Sequence, residues 1–279
     1  MSKKREILPY RLLDCGDYRK IEMLGSVTMI RPCPQACWKP FNPKIWKDAD
    51  VEFLRVGEEK GDYKMANNYQ MPSTWTLTND EDLIWNIEPN EFGNIGVFTE
   101  HWIYAKTLDK FFSGKKILNL FTYSGSNCVT LVNKDFNVTS VDSSKVALNG
   151  YINNLEANGL SRDGQRLILE DCLKFIQREE RRGAKYDGIM IDAPSYGRGT
   201  KGELFKIEDS LRDILITAKS ILASDGKLVL TLHSPRFTPA ILQIMVSQLF
   251  SDKTVVCEEI INPCESGAGL PSGFLVKIQ

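Results

Sequence analysis

From residue 116 onward the chain alternates short apolar runs with amphipathic stretches of about ten residues, and this rhythm restricts the fold more than any other feature. Apolar runs at 117–121, 138–141, 166–169, 186–191 and 227–232 are separated by helical patterns, clearest at 143–158, 172–182 and 211–222. Hairpins cannot join strands spaced this way. Each helix must carry the chain back to the starting edge of a parallel sheet. The pattern predicts a doubly wound, Rossmann-like α/β sheet. A last helix at 240–249, then strands near 253–258 and 273–278 with no helix between them, predict an antiparallel hairpin at one sheet edge.

Before about residue 90 the character differs. Four of the five tryptophans lie there, with several prolines and short β-branched or aromatic runs at 27–30, 51–56, 75–78 and 83–87. Such runs, divided by Gly, Pro and Asn, predict short antiparallel strands. The expected organisation is a small β-rich domain at 1–88 and an α/β domain at 89–279. The 35 basic and 36 acidic residues give a net charge of −1, which argues against a protein that coats nucleic acid but allows one basic face. No apolar run is long enough for a membrane helix, and the first residues lack a secretory signal, so the expected location is the cytoplasm. The seven cysteines are scattered without a Cys-x-x-Cys pair, so neither a disulfide framework nor a metal site is expected.

Ligands of doubly wound sheets bind beyond the carboxyl ends of the strands. The residues falling there are 122–126, then Asp142, then Asp171 and Cys172, then Asp192, Ala193, Pro194, Ser195 and Tyr196. The first turn has one glycine, Gly125, and not the Gly-x-Gly-x-x-Gly that admits a pyrophosphate. A phosphate-free cofactor with a ribose, an adenine and an amino-acid end fits better. Asp142 could accept the ribose hydroxyls and Asp171 the adenine amine, while amides around Ser124 to Asn127 could receive a carboxylate. S-adenosylmethionine has these three parts. Each residue also has a plain structural role open to it: Asp142 and Asp171 as helix caps, Gly125 as a turn, Cys128 and Cys172 as small buried apolar groups. A Ser-His-Asp hydrolase lacks both a Gly-x-Ser-x-Gly elbow and a histidine partner beyond His101 and His233.

Residues 117–126, then Val141, Asp142 and Lys145, then Asn153, Asn154 and Gly159, then 171–175 and 186–203 follow one another as ordered motifs. Together with Gly96, Phe98, Glu100 and His101 upstream, they resemble bacterial class I S-adenosylmethionine-dependent methyltransferases of large-subunit (23S) ribosomal RNA. The likeness covers about residues 90–235 closely and extends loosely to 12–22. It implies a cofactor site lined by His101, Tyr123, Ser124, Gly125, Ser126, Asp142, Asp171, Cys172 and Asp192. His101 enters through the resemblance alone. It also implies a small N-terminal domain that helps to hold RNA.

Relatives that methylate cytosine C5 carry a cysteine nucleophile after the fifth strand, where this chain reads Thr231, Leu232, His233, Ser234. The relatives that methylate guanine N7 share a histidine at the position of His101 and need no such cysteine. A ring nitrogen of guanine is therefore the favoured acceptor, with Asp192, Pro194 and Tyr196 as catalytic residues. The exocyclic-amine motif Asn/Asp-Pro-Pro-Tyr/Phe is met only partly, since Ala193 replaces its first proline. The glycine-rich segment 197–203 reads as a loop touching phosphate, with Tyr196, Arg198 and Lys201 toward the substrate. Two other readings stay open: methylation of a small molecule or protein, and a non-catalytic RNA-binding scaffold that keeps the cofactor fold.

Overall fold

A computed structural model describes residues 7–57, 60–198 and 204–279. They fall into two compact units, one running to Glu100 and taking in Ile261–Pro271, the other comprising His101–Ile260 and Ser272–Gln279. The composition shift near residue 88 thus precedes the division between the units, and the short segment that joins the first unit carries no compositional mark.

In the first unit, β1 (Tyr10–Gly16), β2 (Arg19–Leu24), β3 (Val27–Pro32), β4 (Val51–Val56) and β5 (Lys60–Met65) form one sheet in chain order. All neighbours are antiparallel except β3 and β4. A separate ribbon pairs β6 (Trp75–Thr78) with β7 (Ile84–Ile87). Strands β1, β2 and β5 have no counterpart in the sequence reading. The β1–β2 turn uses Asp17 and Tyr18, both at positive φ (48° and 61°), in place of the usual Asn-Gly, so its hairpin signal is hidden. Strand β2 also buries a charge. Glu22 is fully buried, 2.8 Å from Lys20 Nζ and 2.7 Å from Arg31, with the Tyr10 hydroxyl donating to it at 2.9 Å. Burial pushes this carboxyl up, but the two cations outweigh it and bring it to about 2.

The second unit starts with two short helices, α1 (His101–Ala105) and α2 (Leu108–Phe111), followed by β8 (Lys116–Leu120), α3 (Val129–Val132), β9 (Asn137–Asp142) and α4 (Lys145–Ala157). Next come β10 (Arg166–Leu169), α5 (Cys172–Arg181), β11 (Tyr186–Asp192) and a two-stranded ribbon of β12 (Tyr196–Arg198) and β13 (Leu204–Lys206). The chain ends with α6 (Ile207–Ile221), β14 (Leu222–Leu232), α7 (Pro239–Leu249), β15 (Val255–Asn262) and β16 (Leu270–Ile278). The seven-stranded sheet has the order β10-β9-β8-β11-β14-β16-β15. Its first five strands are parallel, and β16 runs antiparallel to β14. The doubly wound α/β fold read from the sequence is thus the fold observed. The edge differs in one detail, because the last strand inserts between β14 and β15 and is not itself outermost.

Strand β8 is buried over Ile117, Leu118, Asn119 and Leu120, as a central parallel strand must be when helices cover both faces. Its neighbours are β9 on one side and β11 on the other, so the strand order reverses there, at the carboxyl ends where doubly wound sheets bind ligands. Among the described residues no helix is long and apolar enough to cross a membrane.

Candidate active site

The turn after β8 is held in an unusual backbone conformation. Phe121 and Tyr123 have φ of 58° and 48°, a region that L-residues seldom occupy, and Gly125 has φ of 80°. Several bonds support it. The Thr122 amide donates to Val141 O at 3.2 Å, the Gly125 amide to Thr122 O at 3.0 Å, and Asn154 Nδ2 to Ser124 O at 2.9 Å. Buried Asn119 on β8 exchanges amide hydrogen bonds with Asn127, at 3.1 and 3.2 Å, which ties the strand to the far side of the turn. Gly125 is required on steric grounds too. A Cβ there would lie 2.1 Å from the ring of buried Tyr151.

Asp142, at the end of β9, faces this turn. Its Oδ2 accepts the Tyr123 amide at 2.9 Å and its Oδ1 the Ser144 amide at 2.8 Å. Burial raises its carboxyl above the ordinary value against the pull of these amides. The N-cap of α4 is Ser144, not Asp142, so the carboxylate is oriented by the turn and keeps lone pairs for a ligand's hydroxyls. Asp171 does cap a helix. Its Oδ1 accepts the Lys174 amide at 2.9 Å at the start of α5, leaving Oδ2 for a further donor. Cys172 is buried, receives the Phe121 amide on its sulfur at 3.2 Å and points its thiol at Val141 O at 3.5 Å. Burial pushes this thiol well up. Cys172 therefore props the turn from beneath and presents no thiolate. Ser124 and Ser126 are buried, with hydroxyl oxygens 3.3 Å apart.

Beyond the reversal point, at the ends of β11 and β14, lies a second group of side chains. Asp192 Oδ2 is 3.1 Å from His101 Nε2, while Oδ1 accepts the Thr231 hydroxyl and lies 3.8 Å from His233 Nε2. The side chains of His101 and Asp192 are 3% and 10% exposed; that of His233 is 34% exposed. Burial raises the Asp192 carboxyl, but the imidazoles of His101 and His233 and the Thr231 hydroxyl more than reverse this and bring it down to about 2. Asp192 is thus an anion at any working pH. The same three side chains bring one ligand atom each within 4.8 Å of one another, a donor set of the kind that takes a divalent metal. His101 and Thr231 approach the carboxylate from within the unit.

Ala193 is buried in the core, whereas Pro194 is exposed and Tyr196 is 52% exposed at the start of β12. The ribbon leans on the cofactor turn through Phe205 and Phe121, whose ring centroids are 5.6 Å apart. Arg198 closes β12, and Lys201 lies outside the described residues. Sequence reasoning placed Tyr123, Ser124, Asp142, Asp171 and Asp192 at this edge, and they lie at or just after the ends of β8 to β11; His101, which the resemblance added, opens α1 and sits beside Asp192. Sequence reasoning did not single out Thr231 and His233, which join Asp192 there. The available signal was their position at the end of the fifth parallel strand.

A family model for S-adenosylmethionine-dependent methyltransferases matches residues 69–273. The chain belongs to that family. The methyltransferase is 29% identical to the S-adenosylmethionine-dependent methyltransferase of Agrobacterium tumefaciens, with a TM-score of 0.88 over 99% of this chain and 94% of that one. SMU.776, crystallised with S-adenosylhomocysteine, shares the fold at 17% identity and a TM-score of 0.77, covering 98% of this chain and 75% of that one. Among curated relatives, ribosomal RNA large subunit methyltransferase K of Neisseria meningitidis serogroup B is 24% identical over 74% of this chain and 57% of its own length. Methyltransferase K/L of Photobacterium profundum is 28% identical over 67% of this chain and 26% of its own length. The chain therefore spans about half, or less, of the curated relatives it matches. The cofactor of the methyltransferase is S-adenosylmethionine, and the residues present fit it: Asp142 and Asp171 offer carboxylate acceptors after β9 and β10, on the side of β8 where its strained turn is tied to Asp142.

Proposed function

We propose that this methyltransferase modifies a base of large-subunit ribosomal RNA, at a ring nitrogen of guanine in preference to cytosine C5. The observation that carries the choice of atom is the make-up of the acceptor side of the site. Asp192, Thr231, His101 and His233 meet there without a thiol among them. Methylation at C5 requires a nucleophile that adds to the ring and makes the carbon electron-rich. Cys172 and Cys128 are buried with raised thiols, and Cys264 packs beside Cys15 and Leu12 in the first unit. A ring nitrogen already holds a lone pair and needs only to be positioned against the methyl carbon.

Bound S-adenosylmethionine supplies an electrophilic methyl group on a sulfonium. Asp142, fixed by the Tyr123 and Ser144 amides, holds the ribose; Asp171 holds the adenine amine; the turn at 122–126 orients the amino-acid end. Asp192 stays ionised and fixes His101 and Thr231 behind the reacting centre. Exposed Tyr196 stacks on the target base. An RNA substrate is supported by the relatives' printed names and by the first unit's own surface. A cleft of about 190 Å³ there is lined by Lys20, Arg31 and Arg55, by Phe53, Phe92 and Phe98, and also by Glu100. Cations interleaved with aromatic faces are the chemistry that holds single-stranded nucleic acid.

The test is incubation with labelled S-adenosylmethionine and unmodified large-subunit RNA, free and in particles, followed by digestion to nucleosides and mass identification. A methylated guanine is expected. A product of 5-methylcytosine overturns the choice of atom. Cofactor binding without any RNA product overturns the substrate class and turns attention to a small molecule, a protein or a scaffold role.

A further inference from the structure

The Asp192 cluster is asymmetric in a way the methyl-transfer reading leaves unused. Both carboxylate oxygens are engaged from inside, one facing His101 and the other accepting from Thr231. Asp192 is thereby held among the inner side chains, at 10% exposure. His233 is the member of the cluster that opens outward. Its Nε2 lies 3.8 Å from Asp192 Oδ1, too far for a hydrogen bond but close enough to feel the charge, so this nitrogen can donate elsewhere.

The sheet also makes room for this ring. Gly273 on β16 has φ of 113°, and a Cβ there would lie 2.7 Å from His233 Nδ1 and 3.0 Å from its Cε1. Only a residue without a side chain leaves the imidazole where it stands. The His101 ring, with its centroid 6.2 Å away, bounds the other side. His233 follows the end of β14, across the strand reversal from Asp142 and Asp171. The cofactor occupies the β8–β10 side, so the base to be methylated belongs on the side where His233 sits.

We infer that His233 selects the base, donating a hydrogen bond to O6 of a guanine whose neighbouring N7 receives the methyl group. This rests on the guanine reading above and deepens it. Along that edge guanine offers two adjacent acceptors, N7 and O6, whereas adenine offers N7 beside an amine donor. A partly exposed imidazole whose N–H is not hydrogen-bonded to Asp192 attracts the first pattern and repels the second. In the transfer, N7 supplies its lone pair to the methyl carbon, the carbon–sulfur bond breaks with its electron pair left on sulfur, and no proton leaves the base. The positive charge that arrives on the purine is met by the Asp192 carboxylate behind His233.

The experiment first identifies the modified nucleoside by mass and maps its position, then replaces that guanine with 2-aminopurine, which keeps N7 and lacks O6. The wild-type enzyme is expected to lose about tenfold to a hundredfold in kcat/KM on the substituted RNA, the range for leaving one hydrogen-bonding partner unpaired. His233→Ala should lose a similar factor on guanine RNA and nothing further on 2-aminopurine RNA, while His233→Gln, which keeps a donor, recovers part of the loss. Binding of S-adenosylmethionine, read by calorimetry, stays unchanged in both variants. Losses that multiply instead of overlapping, or 2-aminopurine RNA methylated as fast as guanine RNA, overturn the inference while a 7-methylguanine product keeps the reading beneath it. Any other methylated nucleoside overturns both.

Discussion

Asp192→Asn removes the charge at the centre of the cluster and keeps the shape of the side chain. In the folded protein the Asp192 carboxyl falls from its ordinary 3.8 to about 2, burial being outweighed by His101, His233 and Thr231. A depression of this size corresponds to about 2–3 kcal/mol, at about 1.4 kcal/mol per pH unit. The folded state holds the proton less tightly than the unfolded chain. The stabilisation is therefore fully present above pH 3.8 and is lost as pH falls through about 2. Urea unfolding followed by circular dichroism, repeated from pH 7 down to pH 2, reads the effect. At neutral pH the variant should be less stable than the wild type by about 2–3 kcal/mol, and the gap should narrow as the wild-type carboxyl takes up its proton. A gap that stays constant across that range would mean that shape or hydrogen bonding, not ionisation, sets the role of Asp192. No gap at neutral pH would refute the idea that the charge of Asp192 stabilises the cluster.

Three further outcomes follow from the geometry. Gly125→Ala places a methyl group 2.1 Å from a carbon of the Tyr151 ring and forces a side chain into positive φ; overpacking of this kind costs about 1–3 kcal/mol and the backbone adds about 1–2, so urea unfolding should register a clear loss together with weakened cofactor binding. Asp142→Ala should abolish measurable S-adenosylmethionine binding in a calorimetric titration while the circular dichroism spectrum persists, and an unchanged affinity would remove Asp142 from the cofactor site. Glu22→Gln leaves Lys20 and Arg31 without their shared anion in the first unit, and since breaking a buried ion pair costs about 3–5 kcal/mol, the variant should melt well below the wild type.

The second unit was legible because its physics is local and repetitive. A parallel strand covered on both faces is a short apolar run such as 117–121, its crossover is an amphipathic helix such as α5, and the order of these pieces already implies the sheet. The first unit was only half legible. Its strands were found where β-branched and aromatic residues alternate, as at 51–56, and lost where charge intrudes. Strand β2 carries Arg19, Lys20 and Glu22 among its six residues, and the partners that make Glu22 tolerable lie on the same strand and the next, as Lys20 and Arg31. A buried ion pair is a tertiary fact, and no periodicity reports it.

The site divides along the same line. The proposed cofactor half rests on residues at strand ends whose bonds are short in sequence or pass between adjacent strands, as from Asp142 to the turn after β8, so the aspartates after β9 and β10 mark it in the sequence. Even there the chain could not say which role each residue takes: Asp171 caps α5, and Cys172 turns its sulfur inward. The acceptor half is assembled from three distant stretches, His101 before the first strand, Asp192 after the fourth and His233 after the fifth, with Gly273 on the last strand clearing the space. Only the sheet order, which inserts β16 beside β14, brings Gly273 against that imidazole. A glycine and a histidine forty residues apart carry no mutual signal in one sequence. The group best placed to choose the base therefore had to wait for the fold.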